Sequence, residues 1–196
     1  MIRLFAKNYK GYLEKNTDDQ LFFESTQAFK PELASCPKCN ALGRLSLLGS
    51  YSRGLNYFNN GSVSFIELSI ERYRCDSCNA THALLPGNVL IPYGRYSLKT
   101  ILLVLCDYFE RTATVREICQ KYQIAISTLY DWKHRFEDQM ALLLGQLAAA
   151  QTASVDLVRR LIAAPSSLPQ LRTFFETFGF SFLQNRPIAA THTQPP

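Results

Sequence analysis

The spacing of apolar and polar positions changes near residue 97, and that change divides the chain into a β part and an α part. From Val63 to Arg72, the residues Val63, Phe65, Glu67, Ser69 and Glu71 alternate with Ser64, Ile66, Leu68, Ile70 and Arg72. A period of two in a stretch rich in β-formers predicts a strand, running on to Cys75. Leu45 to Tyr51 supplies an antiparallel partner. The polar segment Gly54 to Gly61, ending in Asn59-Asn60-Gly61, supplies turn residues that tolerate positive φ.

Beyond Pro86-Gly87 and Pro92 the apolar spacing becomes three and four. Ser97 to Glu110 predicts a strongly apolar helix and Thr114 to Tyr122 an amphipathic one. A third runs from Ile126 through Phe136 toward Leu147. Thr114 and Glu117 have the spacing of a capping box, which fixes where the second of these begins. Ser154 to Ala163 and Leu168 to Phe178 predict two more helices, separated by Pro165 and Pro169. Residues 1–30 show neither period and are expected to be an irregular lead-in, and residues 186–196 a flexible tail.

Composition narrows the class. A 47% hydrophobic content is that of a globular protein. The longest apolar run, Ile101 to Cys106, is closed by Asp107, far short of the ~20 residues that cross a bilayer. Met1 to Lys7 lacks the apolar stretch of a signal peptide, so a cytoplasmic protein with no membrane association is expected. In that reducing setting the six cysteines point to metal ligands rather than disulfides. The net charge of +5 is mildly basic and does not by itself indicate nucleic acid.

Cys36-Pro37-Lys38-Cys39 and Cys75-Asp76-Ser77-Cys78 are two Cys-x-x-Cys knuckles, a spacing that lets two thiolates reach one tetrahedral ion from a tight turn. Together they predict a closed structural zinc site on Cys36, Cys39, Cys75 and Cys78. The 35 residues between the pairs exceed the ~15–20 of a short ribbon, so the hairpin must be long or carry an excursion. A redox dithiol is the competing reading, but that motif is single and opens a helix after a βαβ pattern. His82 could replace a cysteine, though four better-spaced thiolates make it a bystander. Cys106 and Cys119 fall at apolar helical positions and are expected to pack in a core.

The helix from Ile126 carries Leu129, Trp132 and Phe136 on one face, which must pack inward. The opposite face carries Ser127, Tyr130, Asp131 and His134, flanked by Thr128, Lys133 and Arg135, the groups that meet DNA bases and phosphates. An ordinary helical hairpin with a solvated face is the competing reading.

The stretch Arg116 to Cys119 through Ile124 to Trp132 resembles the homeodomain-like helix-turn-helix of insertion-sequence transposases. Cys75 to Pro86 looks like the zinc ribbon that precedes it, and the match covers roughly residues 36 to 136. The same pairing resembles short mobile-element-associated bacterial proteins. Where that family commonly places a serine cap on the recognition helix, this chain has Ala125, a loss of about 1 kcal/mol. The resemblance implies double-stranded DNA as partner, with a transposase or other protein subunit as a second one.

The expected fold is α+β: a lead-in (1–30), a small antiparallel zinc ribbon (31–92), a helix-turn-helix (93–138), C-terminal helices (139–185) and a tail (186–196). A complete transposase would need a further domain bearing metal-binding carboxylates. Only 60 residues follow Phe136, with Glu137, Asp138, Asp156 and Glu176 as their acids, so no catalysis is expected. The functional expectation is a transposon-associated DNA binder without strand-transfer activity. The alternatives are a transcriptional regulator, or an adaptor docking a separate catalytic subunit, for which Phe174, Phe175, Phe178, Phe180 and Phe182 offer apolar surface.

Overall fold

The computed structural model describes residues 1–4, 18–87, 89–146, 154–163 and 167–185. The fold is α+β, as the change of period predicts. Strands β1 (Ile2–Leu4), β2 (Leu45–Asn59), β3 (Ser62–Cys75) and β4 (Thr81–Pro86) form one sheet in the order β1-β4-β3-β2. The β2, β3 and β4 pairings are antiparallel, and β1 joins β4 in parallel.

The hairpin is longer than the alternation predicts. Gly54 to Asn59, expected in a turn, continue β2, and the reversal falls to Asn60 and Gly61 alone, at φ 48 and 80. Two adjacent positive φ values suit the twist of a two-residue hairpin loop, and Asn-Gly takes them at low cost. Gly54 to Asn59 stay extended because something covers them. Asn56 donates its N–H to the Arg95 carbonyl at 2.7 Å and accepts from Ser97 N–H at 2.9 Å, so the segment before the helices lies along the outer edge of β2. Phe58 N–H donates to Thr100 Oγ1 at 2.8 Å, and the Phe58 ring packs on Tyr122, 4.5 Å between centroids. These are tertiary contacts, invisible in local period.

A bulge between Leu47 and Gly49 gives the sheet two working faces. Before it, Leu45 pairs with Cys75 and Leu47 with Tyr73; after it, Tyr51, Arg53 and Leu55 pair with Ile70, Leu68 and Ile66. One inserted residue moves the odd-numbered positions of β2 from one face to the other. The first face gathers Ile2, Cys36, Leu45, Tyr73, Cys75 and Leu84; the second gathers Phe22, Leu55, Leu68, Ile70, Leu85, Val89 and Leu90.

Phe22 belongs to α1 (Asp18–Gln27), a helix within the region expected to be an irregular lead-in. β1 also falls there. Both are held by packing and pairing rather than by their own periodicity, which is why the pattern missed them.

The helices follow as predicted: α2 (Leu98–Glu110), α3 (Val115–Tyr122), α4 (Ile126–Gln146), α5 (Ser154–Ala163) and α6 (Ser167–Phe178). Ser97 caps α2, and Thr114 with Glu117 forms the full capping box on α3. The boundary expected at residues 138 and 139 falls inside α4. The C-terminal helices, with Val158, Leu161, Leu171 and Phe174, and the segment after them, with Phe180 and Phe182, share one core with α2 to α4. Gln139 on α4 ties the end of that segment down, its Oε1 accepting from Leu183 N–H at 2.6 Å. Phe174, Phe180 and Phe182 are thereby spent on the core rather than offered to a partner. The expected tail, residues 186–196, lies outside the described residues.

Phe22→Ala should lower unfolding stability by ~3–5 kcal/mol in denaturant titration, the usual loss for a fully buried aromatic. A loss under ~1 kcal/mol would show that α1 contributes little to the sheet's second core.

Candidate metal centre

The two knuckles are built alike. Cys36-Pro-Lys-Cys-Asn-Ala and Cys75-Asp-Ser-Cys-Asn-Ala share a backbone as well as a sequence pattern. Asn40 N–H bonds the Cys36 carbonyl at 2.9 Å, and Asn79 N–H bonds the Cys75 carbonyl at 2.8 Å. Cys36 N–H closes on Ala41 at 3.0 Å, and Cys75 N–H on Ala80 at 2.9 Å. Asn40 and Asn79 both take left-handed φ, 59 and 55, a conformation that asparagine accepts more readily than most residues.

The second knuckle ends β3 and leads into β4, while the first sits in the loop before β2. Pairing of Leu45 with Cys75 brings them together. All four sulfurs lie within 4.8 Å of one another, with Cys36 to Cys78 and Cys39 to Cys75 each at 3.7 Å. A tetrahedral ion with sulfur at ~2.3 Å requires sulfurs about 3.8 Å apart, so the donor set fits. A disulfide needs about 2.0 Å, and all six cysteines are free. Cys36 and Cys75 are buried against the first face of the sheet, Cys78 is half-buried and Cys39 is exposed.

These sulfurs do not ionise alike. Burial opposes the Cys36 thiolate, but the amides of Cys39 and Lys38 and the ring of His82 outweigh it and bring the pKa down to about 5. Cys75 is likewise lowered, its burial overcome by the Cys78 and Ser77 amides. For Cys39 the Ala41 amide favours ionisation, yet hydrogen bonds among the sulfurs, led by Cys78, push it up to about 12. Two sulfurs favour the anion and a third retains its proton. A soft divalent cation would remove that conflict by displacing the proton and pairing with the clustered charge.

His82 is buried, with Nε2 3.3 Å from Cys36 Sγ and Nδ1 3.1 Å from the Met1 amino nitrogen. By spacing alone it is a bystander to the ligand set. The structure places it outside the four sulfurs but in contact with one of them. Its pairing with Tyr73 across β3 puts it on the cysteine-bearing face, a placement that required the register of β4.

Of the other two cysteines, Cys119 is buried in the helical core as expected. Cys106 is half-buried and bonded to Glu110 at 2.9 Å; burial and that carboxylate push its thiol up to about 11.

The helical residues singled out for DNA lie elsewhere, on α4. Ser127, Tyr130, Asp131 and His134 are exposed, while Thr128, Lys133 and Arg135 are half-buried. The two cations are held along the helix, Arg135 to Asp131 at 3.1 Å and Lys133 to Glu137 at 2.7 Å. The structure brings Leu129, Trp132 and Phe136 together in the core, as the spacing predicts.

Fold and site thus define an α+β protein with a four-cysteine candidate metal centre. Residues 36–132, from the first thiol to the buried tryptophan of α4, match a family model described as a domain of unknown function, DUF6431. No match to the chain is found among curated proteins or among solved structures.

Protein purified without chelator should hold one zinc per chain by metal analysis. The double variant Cys75→Ser with Cys78→Ser should hold none. Unchanged metal content in that variant would place the ion elsewhere. Lowering the pH should weaken retention, since each thiolate that takes up a proton loses its place in the site.

Proposed function

We propose that this chain is a zinc-bearing DNA-binding protein that reads duplex DNA through α4 and does not itself catalyse strand transfer. The observation that carries the reading is the division of α4 into two faces. Leu129, Trp132 and Phe136 are spent on the core, and Ser127, Tyr130, Asp131 and His134 stay exposed beside them.

Several local features support a helix-turn-helix. The capping box fixes the start of α3. Gln123, at φ 50, ends it with its N–H on the Cys119 and Gln120 carbonyls. Three residues later α4 begins at Ile126, and the first bond from Leu129 N–H to the Ala125 carbonyl is 3.2 Å. The buried Ile124 anchors the turn. That order matches the resemblance to the transposase helix-turn-helix.

The ion pairs on α4 do not defeat the reading. An exposed or half-exposed pair contributes about 0–1 kcal/mol, so a DNA phosphate can take the cation from its carboxylate. They do predict that Lys133 and Arg135 gain less from DNA than free cations would, because Glu137 and Asp131 must be displaced.

A second reading, an adaptor that docks a protein subunit, is favoured by one observation. Ile126 and Tyr130, four residues apart, are 53% and 38% exposed on the same outward side. Such a stripe also suits a helix-in-groove partner.

Two kinds of substitution separate these readings. Lys133→Ala or Arg135→Ala should weaken binding to all duplexes and reduce the salt slope by about 1 or less. Tyr130→Ala, Asp131→Ala or His134→Ala should cost ~1–3 kcal/mol on a preferred site selected from random duplexes and relax the choice of base. Trp132→Ala serves as the folding control, losing ~3–5 kcal/mol of stability. Bound plasmid should stay intact with magnesium. Folded outward-face variants that bind selected DNA like wild type would hand the function to the adaptor.

A further inference from the structure

A cleft of about 440 Å³ opens on the hairpin, away from the cysteines, lined by Arg53, Gly54, Asn56, Phe65, Tyr93, Gly94 and Arg95. Three separate chain segments build it, and two of its walls are aromatic rings left in solvent. Phe65 is 68% exposed and Tyr93 86%. The edge of the Phe65 ring points at Gly54, where a Cβ would come within 2.6 Å of it, so the glycine leaves room for the ring to approach the strand.

Tyr93 is the more informative residue. Ile91-Pro92-Tyr93-Gly94 is a turn closed by Gly94 N–H on the Ile91 carbonyl at 3.1 Å, with proline second and a positive φ of 62 third. That third position ordinarily takes glycine or asparagine. A bulky ring there costs free energy and, being exposed, returns almost none through packing. The turn is held regardless, because Arg53 reaches from β2 and donates to the Ile91 and Gly94 carbonyls. One guanidinium thus fixes the loop that presents Tyr93. Next to it Arg95 is exposed and has no carboxylate partner among the described residues. No acidic side chain lines the cleft.

We propose that this cleft binds an unpaired nucleotide of a DNA strand, with the base stacked on Tyr93 and Phe65 and the adjoining phosphate held by Arg95. Aromatic faces with a nearby arginine are what a single strand requires, since every base has a π-face and every linkage a negative charge. The choice of ligand rests on the nucleic-acid reading above and extends it: the DNA engaged would carry an unpaired stretch beside the duplex. Arg53 is a positioning residue, not a ligand contact.

Anisotropy of a labelled twelve-residue oligothymidylate, compared with a labelled duplex, tests the cleft on the full chain. Wild type should bind the single strand in a salt-dependent manner. Tyr93→Ala and Phe65→Ala should each weaken that binding at least about fivefold. Tyr93→Phe should retain it, and Arg95→Ala should lower the salt slope by about 0.7. Because both rings are exposed, the thermal midpoints should hold. Tyr93→Gly, which relieves the backbone, should keep or raise the midpoint while losing affinity. Wild type that ignores the oligothymidylate, or ringless variants that bind it unchanged, would overturn the proposal. Duplex binding without single-strand binding sinks the cleft alone. Single-strand binding by a chain that ignores duplex sinks the α4 reading and leaves the cleft standing.

Discussion

Four sulfurs from two knuckles, separated by 35 residues of chain, have to meet within 4.8 Å, and the β half of the molecule is arranged to let them. A hairpin this narrow has a thin core on each face. Among the described residues the cysteine-bearing face gathers six buried core residues, two of them the cysteines Cys36 and Cys75. Burial on that scale contributes little against the entropy of ordering the chain, whereas a metal ion held by four such sulfurs would contribute on the order of 10 kcal/mol or more. Bringing the ends of a long loop together is costly chiefly at the outset, and a metal ion on the four sulfurs would offset that cost where it arises.

The bulge at Leu47 to Gly49 follows from the same constraint. Without it, the residues of β2 that cover the cysteines and those that build the second core would compete for one face. With it, Leu45 backs Cys75 while Leu55 packs with Leu68 and Ile70. The second core takes in Val89 and Leu90, and the segment that follows lies along β2 as far as Ser97, the cap of α2. The position of the helices is therefore set from the hairpin, through Asn56, Phe58 and Thr100.

What could be read from the sequence was what chemistry or local period dictates. The knuckles show in spacing, the reversal in Asn60-Gly61, the start of α3 in Thr114 and Glu117, and the inward face of α4 in Leu129, Trp132 and Phe136. What could not be read depends on distant partners. Gly54 to Asn59 look like a turn until residues 95–97 are laid beside them, and Phe22 looks like a stray aromatic until the sheet is behind it. His82 meets Cys36 only through the register of β4. The pairs Asp131 with Arg135 and Lys133 with Glu137 were within reach of sequence, since each spans four helical residues. Sorted by helix face, these residues show their charge but not their pairing.

If the thiolate centre governs the hairpin and the helices stand on their own core, removing metal should separate the two. Amide hydrogen exchange, followed with and without chelator, measures this residue by residue. The account predicts that chelation strips protection from the amides of β2 and β3, Leu68 and Ile70 among them, while those of α2 to α4 around Val104, Ile118 and Leu129 keep theirs. Unchanged protection in the hairpin, or equal loss in hairpin and helices, would contradict it.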